Sequence, residues 1–252
     1  MPHIMIRDRS VHIQELNRGA AKTLVLIHGM FSNLSVYYFK IAPLLAEKFH
    51  VVIYDLKSHG LSSKVEDGYG FDAMTADLVD LLDALHIEHV HLIGYSYGGL
   101  VALNTGFREP ERINSLSIIE APNPGDRKTM DLIDIYSKEF LEHYIQNFTD
   151  TTKVKMGKRQ LEKNHKMYQF LFNNTSIRDD MEKEADFFLR FPFEALKKNI
   201  LLVYGKQSNC LSAGEFLARK IKNNQIIVMD GDHNLPIQAP EAVAQILMKF
   251  IV

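Results

Sequence analysis

Six short apolar runs, separated by stretches with helical spacing, set the tightest limit on how this chain can fold. They are Thr23 to Ile27, Val51 to Tyr54, Val90 to Ile93, Leu116 to Ile119, Ile200 to Tyr204 and Ile226 to Met229. Each is apolar at nearly every position rather than every second one, the pattern of strands covered on both faces in a parallel sheet. Between them, helical patterns run from Val36 to Lys48, Phe71 to Leu85, Gly98 to Arg108, Ala213 to Lys222 and Pro240 to Val252. The last opens with proline, which a first helical turn tolerates. Strand alternating with helix predicts βαβ units, hence an α/β fold with a mostly parallel sheet and helices on both faces. Two alternating segments, His3 to Ile6 and Val11 to Glu15, predict an antiparallel hairpin at the sheet edge.

The alternation stops between Pro122 and Leu196, where charge-rich helical patterns such as Met130 to Gln146 and Lys153 to Phe172 replace it. The chain thus divides into a core of residues 1–121 and 197–252 and a helical insertion of residues 122–196. The insertion leaves one strand end and returns before another, so it is expected to cover the carboxyl ends of the strands as a lid, where open α/β sheets bind ligands. Its most basic stretch, with Lys155, Lys158, Arg159, Lys163 and Lys166 at helical spacing, reads as a solvated helix face.

With 252 residues, a 46% hydrophobic fraction and a formal charge of −2, the chain has an ordinary globular composition and no field to attract nucleic acid or an anionic membrane. No nucleic-acid or membrane partner is therefore expected, and oligomeric state is not legible. Cys210 is the only cysteine, so neither an intrachain disulfide nor a thiolate metal cluster can form, and no metal is expected. The first residues lack the apolar core of a signal peptide, and no apolar run reaches the length of a bilayer span. A cytoplasmic location is the resulting expectation.

Gly94-Tyr95-Ser96-Tyr97-Gly98 falls between an apolar run and a helical pattern. Gly-x-Ser-x-Gly alone is weak evidence, but a serine on a sharp strand-to-helix turn is held in a strained backbone with its hydroxyl exposed at the helix amino end. Ser96 is the expected nucleophile. The Tyr97 amide would then face an oxyanion on the acyl carbon, and the Met30 amide, after His28-Gly29 at the end of another strand, is the expected second donor. Phe31 and Tyr95 are candidates for the substrate pocket. His28 reads as a loop-holding residue. Asp230-Gly231-Asp232-His233 follows the last strand, and His233 is the expected general base.

These motifs, together with the order serine before histidine, resemble the α/β-hydrolase superfamily of esterases, lipases and carbon–carbon hydrolases. The stretch Tyr54-Asp55-Leu56-Lys57-Ser58-His59-Gly60-Leu61-Ser62 is similar to the Asp-x-x-Gly-x-Gly-x-Ser loop of that family, with Lys57-Ser58 where Arg-Gly is usual. The resemblance makes Asp55 and His59 structural. It also implies an acid in a Gly-x-x-Asp pattern after the strand Ile200 to Tyr204, but the text there is Gly205-Lys206-Gln207-Ser208-Asn209-Cys210. Glu120, at the end of the strand Leu116 to Ile119, stands where certain haloalkane dehalogenases of the superfamily keep their acid. It is the expected third member. Asp230 and Asp232 are weaker choices, and a Ser–His dyad in which Ser208 or Asn209 only orients the ring stays open.

Taken together, the residues imply a serine hydrolase acting on a small-molecule carboxylic ester or thioester through an acyl-enzyme, without cofactor. Phe31, Tyr95 and Tyr97 are expected to wall an apolar acyl pocket, and the insertion's Phe187, Phe188, Phe191 and Phe193 either join that wall or pack as plain core. Carbon–carbon hydrolysis, lyase chemistry on the same residues, and a non-catalytic ligand receptor or scaffold are the alternatives.

Overall fold

The structure, a computed structural model, describes residues 2–126 and 158–251. The described residues form an eight-stranded sheet in the order β1-β2-β4-β3-β5-β6-β7-β8. In chain order these are β1 (His3–Ile6), β2 (Arg9–Leu16), β3 (Thr23–Ile27), β4 (His50–Tyr54), β5 (Val90–Tyr95), β6 (Ile113–Ile119), β7 (Asn199–Gly205) and β8 (Asn224–Met229). Strands β3 to β8 pair in parallel. The hairpin β1–β2 is antiparallel and joins the sheet through β4. Five of the six apolar runs lie in strands covered on both faces, as where Leu24, Val25, Leu26 and Ile27 are fully buried; the edge run Ile226 to Met229 in β8 is only half-buried, with Val228 exposed. The β3 residues alternate between two apolar layers, Val25 and Ile27 on one face and Leu24 and Leu26 on the other.

The helices are α1 (Ser35–Tyr38), α2 (Ile41–Ala46), α3 (Phe71–Ala84), α4 (Tyr97–Arg108), α5 (Lys158–Asn174), α6 (Ile177–Lys183), α7 (Phe187–Arg190), α8 (Leu211–Lys220), α9 (Leu235–Gln238) and α10 (Pro240–Ile251). Helices α3, α4 and α8 cover one face; α2 and α10 cover the other. The single helix expected from Val36 to Lys48 is instead two short ones. Pro43 has no N–H to donate to the carbonyl of Phe39, and its ring crowds that carbonyl, so the chain breaks at Lys40, whose φ is −133°.

Chain order and sheet order part company at β3. From β3 the chain steps outward to β4, then returns through α3 to place β5 on the other flank of β3. Such a reversal opens a crevice at the carboxyl ends of the two strands. Residues 122–196 separate β6 from β7, and from Lys158 onward their described part is mainly helical. The pattern expected from Met130 to Gln146, and the start of that from Lys153, lie outside the described residues. Lys163 and Lys166 are exposed. No helix among the described residues is long and apolar enough to cross a membrane.

Candidate active site

At the crevice, β5 runs into α4 through Ser96, whose φ of 54° and ψ of −121° lie far from the helix it caps. The turn is possible because its neighbours lack side chains. A Cβ on Gly94 would stand 2.2 Å from the Gly98 carbonyl oxygen, and one on Gly98 2.3 Å from that of Ile27. The Ser96 amide donates to the Ile119 carbonyl at 2.8 Å, tying the turn to the end of β6. Positive φ recurs at Phe31 (64°), beyond β3, and at Glu120 (55°), directly after β6. Left-handed backbone costs a non-glycine residue on the order of 1–3 kcal/mol and gathers at functional sites. Three neighbouring strand ends are therefore each followed by a non-glycine residue at positive φ.

The three residues expected to form a triad come together. His233 Nε2 lies 3.1 Å from Ser96 Oγ, and His233 Nδ1 lies 3.3 Å from Glu120 Oε2. Glu120 is fully buried, with its Oε1 accepting from the Gly205 amide at 2.5 Å and its Oε2 from the Ser208 hydroxyl. Ser208 thus orients the carboxylate rather than the imidazole, which corrects the role held open for it in a dyad. The Asp232 carboxylate is turned to Asn234, and Asp230 pairs with Lys206 at the surface.

Sequence reasoning missed two partners of this centre, the Gly205 amide and Cys210. Cys210 Sγ lies 3.4 Å from His233 Nδ1. The absence of a carboxylate between Gly205 and Cys210 was the one available signal that this loop plays another part. Burial by itself would lower the His233 pKa, but hydrogen bonds and charge from Cys210 and Glu120 outweigh it and raise it to about 9.

The loop expected to carry the second oxyanion donor passes close to the nucleophile. A Cβ on Gly29 would come within 3.0 Å of Ser96 Cβ, so the backbone at Gly29 runs beside the Ser96 side chain. Two neutral histidines hold that loop. The His28 pKa is lowered by burial, and that of His59 is pushed down to about 3 by burial and by His28. His28 Nε2 accepts from the Leu56 amide at 3.0 Å, so its proton sits on Nδ1, which donates to the Gly29 carbonyl at 2.7 Å. His59 repeats the arrangement, accepting from the Phe31 amide at 3.1 Å and donating to the Lys57 carbonyl at 2.7 Å. Asp55 is a hub for loop amides, accepting from Leu34 at 2.7 Å and Leu61 at 2.9 Å.

Of the pocket candidates, Phe31 stacks on Tyr168 of α5 with ring centroids 4.2 Å apart and meets Phe172 at 5.3 Å. Tyr95 is buried, its ring 5.4 Å from that of His233. Tyr97 is buried too, with its hydroxyl donating to the Tyr69 carbonyl. Phe187, Phe188, Phe191 and Phe193 pack on one another and on Phe71, Phe107 and Phe216, so they root the insertion in the core and take the packing role of the two expected for them. Among the described residues of the insertion, Tyr168 and Phe172 are the aromatic side chains that pack on Phe31, next to Met30.

Known proteins extend this picture. The dihydrolipoyllysine-residue acetyltransferase component of the acetoin cleaving system of Pseudomonas putida is 37% identical over 112 residues, 44% of this chain and 30% of that protein. Fluoroacetate dehalogenase of a Burkholderia species is 34% identical over 107 residues, 40% of this chain and 35% of its own length. Both matches span about a third of the relative. A bacterial membrane phospholipase A of known structure superposes with a TM-score of 0.84 at 21% identity, covering 99% of this chain and 84% of the other, which is a likeness of fold. Residues 22–250 match the family model described as the alpha/beta hydrolase fold, and the chain belongs to that family.

Proposed function

We propose that this protein is a serine hydrolase that cleaves a carboxylic ester or thioester through an acyl-enzyme. The observation that carries the reading is the pair of contacts made by His233, 3.1 Å to Ser96 Oγ on one nitrogen and 3.3 Å to Glu120 Oε2 on the other. Ser96 Oγ attacks the acyl carbon while His233 Nε2 takes the hydroxyl proton. The tetrahedral oxyanion receives the Met30 and Tyr97 amides, the second at the positive end of α4. Collapse expels the leaving group, which takes the proton from His233, and water then repeats the sequence on the acyl-enzyme. Glu120 holds the imidazole through Nδ1 and offsets its positive charge.

A serine at position 96 argues for acyl transfer and against displacement of halide by a carboxylate, although the Burkholderia relative is named a dehalogenase. The insertion, residues 122–196, acts in this reading as a lid over a core of residues 1–121 and 197–252. The stack of Phe31 on Tyr168 supports it, because it brings α5 against the loop that carries Met30. The test is covalent labelling by a fluorophosphonate. Ser96 in the folded protein is expected to react and Ser96→Ala to stay unlabelled; a wild-type protein that remains unlabelled would overturn the proposal.

A further inference from the structure

The imidazole of His233 has a second set of neighbours, on the side away from Ser96. Glu120 Oε2, His233 Nδ1 and Cys210 Sγ all lie within 4.8 Å of one another, and among the described residues this is the one such convergence of three metal-ligating side chains. The nitrogen stands 3.3 Å from the oxygen and 3.4 Å from the sulfur. In a tetrahedral zinc site, with bonds of about 2.0–2.1 Å to nitrogen and oxygen and about 2.3 Å to sulfur, adjacent donors are separated by roughly 3.3–3.6 Å. Both edges that meet at Nδ1 already have this length. A single cysteine cannot build a thiolate cluster, but here carboxylate, imidazole and thiol supply three different donors, the types zinc accepts together.

We infer that Glu120, Cys210 and His233 form an inhibitory site for a thiophilic divalent cation such as Zn²⁺ or Cd²⁺. The inhibition rests on the reading of His233 as the base; the binding does not. On coordination Cys210 gives its thiol proton to solvent and binds as thiolate. Nδ1 gives up its proton to solvent and its lone pair goes to the metal, so the one proton left on the ring sits on Nε2. That nitrogen faces Ser96 Oγ at 3.1 Å and becomes a donor where the reaction needs an acceptor. Ser96 then has nowhere to pass its proton. The metal also takes up the negative charge of Glu120 that would steady the imidazolium. Holding a catalytic histidine in the wrong tautomer costs a serine protease roughly 10⁴-fold in turnover. Three protein donors leave the fourth position for a water, and His233, the one partly exposed member, is the route in.

The test uses the whole chain freed of metal by chelation. Cd²⁺ is titrated in while the ultraviolet charge-transfer band of the cadmium–thiolate bond is followed. Cys210 is the only cysteine, so the band reports that residue alone. It should saturate at one cadmium per chain, with hydrolysis of p-nitrophenyl acetate falling in step by at least about a hundredfold and recovering on addition of EDTA. Cys210→Ser should abolish the band and reduce the fractional inhibition, each protein being compared with its own metal-free rate. X-ray absorption of the zinc-loaded wild type, which needs no variant, should give one sulfur at about 2.3 Å with nitrogen and oxygen at about 2.0–2.1 Å. No band at tenfold excess of Cd²⁺, a zinc spectrum without sulfur, or a saturated site with undiminished turnover would overturn the inference. Fluorophosphonate labelling of the metal-free chain keeps the two proposals apart. Labelling without a band removes the metal site and leaves the hydrolase; a band without labelling removes the hydrolase and leaves the binding site.

Discussion

Ser208 donates its hydroxyl hydrogen bond to Glu120, joining the loop after β7 to an acid that leaves the end of β6. The superfamily resemblance implies a carboxylate on the Ser208 loop. In this chain the loop supplies a donor instead, and the charge comes from the neighbouring strand.

Glu120→Gln is expected to lower turnover of p-nitrophenyl acetate at least about a hundredfold, because an amide offers the imidazolium no charge. Ser208→Ala removes one of the hydrogen bonds that orient the carboxylate and leaves the charge in place, so a loss of roughly tenfold in kcat with little change in KM is expected. Circular dichroism and melting of each variant separate these losses from unfolding. Equal losses in the two variants would mean that orientation, not charge, is what Glu120 provides.

The raised pKa of His233 has a directional consequence. The base must be neutral to accept the Ser96 proton, so kcat/KM in chelator-treated buffer should rise with pH through a midpoint displaced above the ordinary 6.5, towards about 9. Cys210→Ala removes one source of the shift and should move the midpoint down. Stability runs the other way. A folded-state pKa above the unfolded value stabilises the fold fully below pH 6.5, and that contribution is lost as pH rises through about 9. A pH–rate profile with its midpoint at 6.5 in both proteins would remove this account.

How far the site could be read from sequence depended on whether each relationship was local. The strands were legible because burial on both faces leaves unbroken apolar runs, as in Leu24 to Ile27. Ser96 was legible because a strand, a turn that needs glycine at 94 and 98, and a helix are contiguous in the chain. The break at Lys40 was legible in principle through Pro43, but apolar spacing on either side masked it. What holds Glu120 was not legible, since Gly205 and Ser208 lie 85 and 88 residues away and approach only through the pairing of β6 with β7. The packing role of Phe187 and its neighbours also depended on partners distant in sequence, such as Phe71.

His28 acts on the proposed oxyanion site through one peptide bond. Its Nδ1–H holds the Gly29 carbonyl, and the N–H on the opposite side of that planar peptide belongs to Met30. Fixing the carbonyl therefore fixes the direction of the donor. His28→Ala should lower kcat about 10- to 100-fold while KM changes little, the loss expected when an oxyanion donor is misaimed rather than removed. The Leu56 amide, left without its buried acceptor, should destabilise the protein by about 1–3 kcal/mol, visible as a lower Tm. His28→Asn, which keeps both a donor and an acceptor, should recover part of kcat. A fall in Tm without a fall in kcat would assign His28 to folding alone.

Tyr168 and Phe172 test whether the insertion shapes the acyl pocket. Both rings meet Phe31, which follows the Met30 amide, so on the proposed lid reading they are placed to meet an acyl chain longer than acetyl. A methylene group in contact with an apolar wall contributes about 0.8 kcal/mol, or nearly fourfold in kcat/KM. Phe172→Ala should therefore reduce kcat/KM for p-nitrophenyl butyrate or hexanoate by roughly tenfold and leave that for the acetate nearly unchanged. Tyr168→Ala should do the same and also loosen Phe31, which adds a smaller loss common to all chain lengths. Were every ester affected equally, the stack would be a brace for the Met30 loop, and acyl specificity would lie with other residues of the crevice.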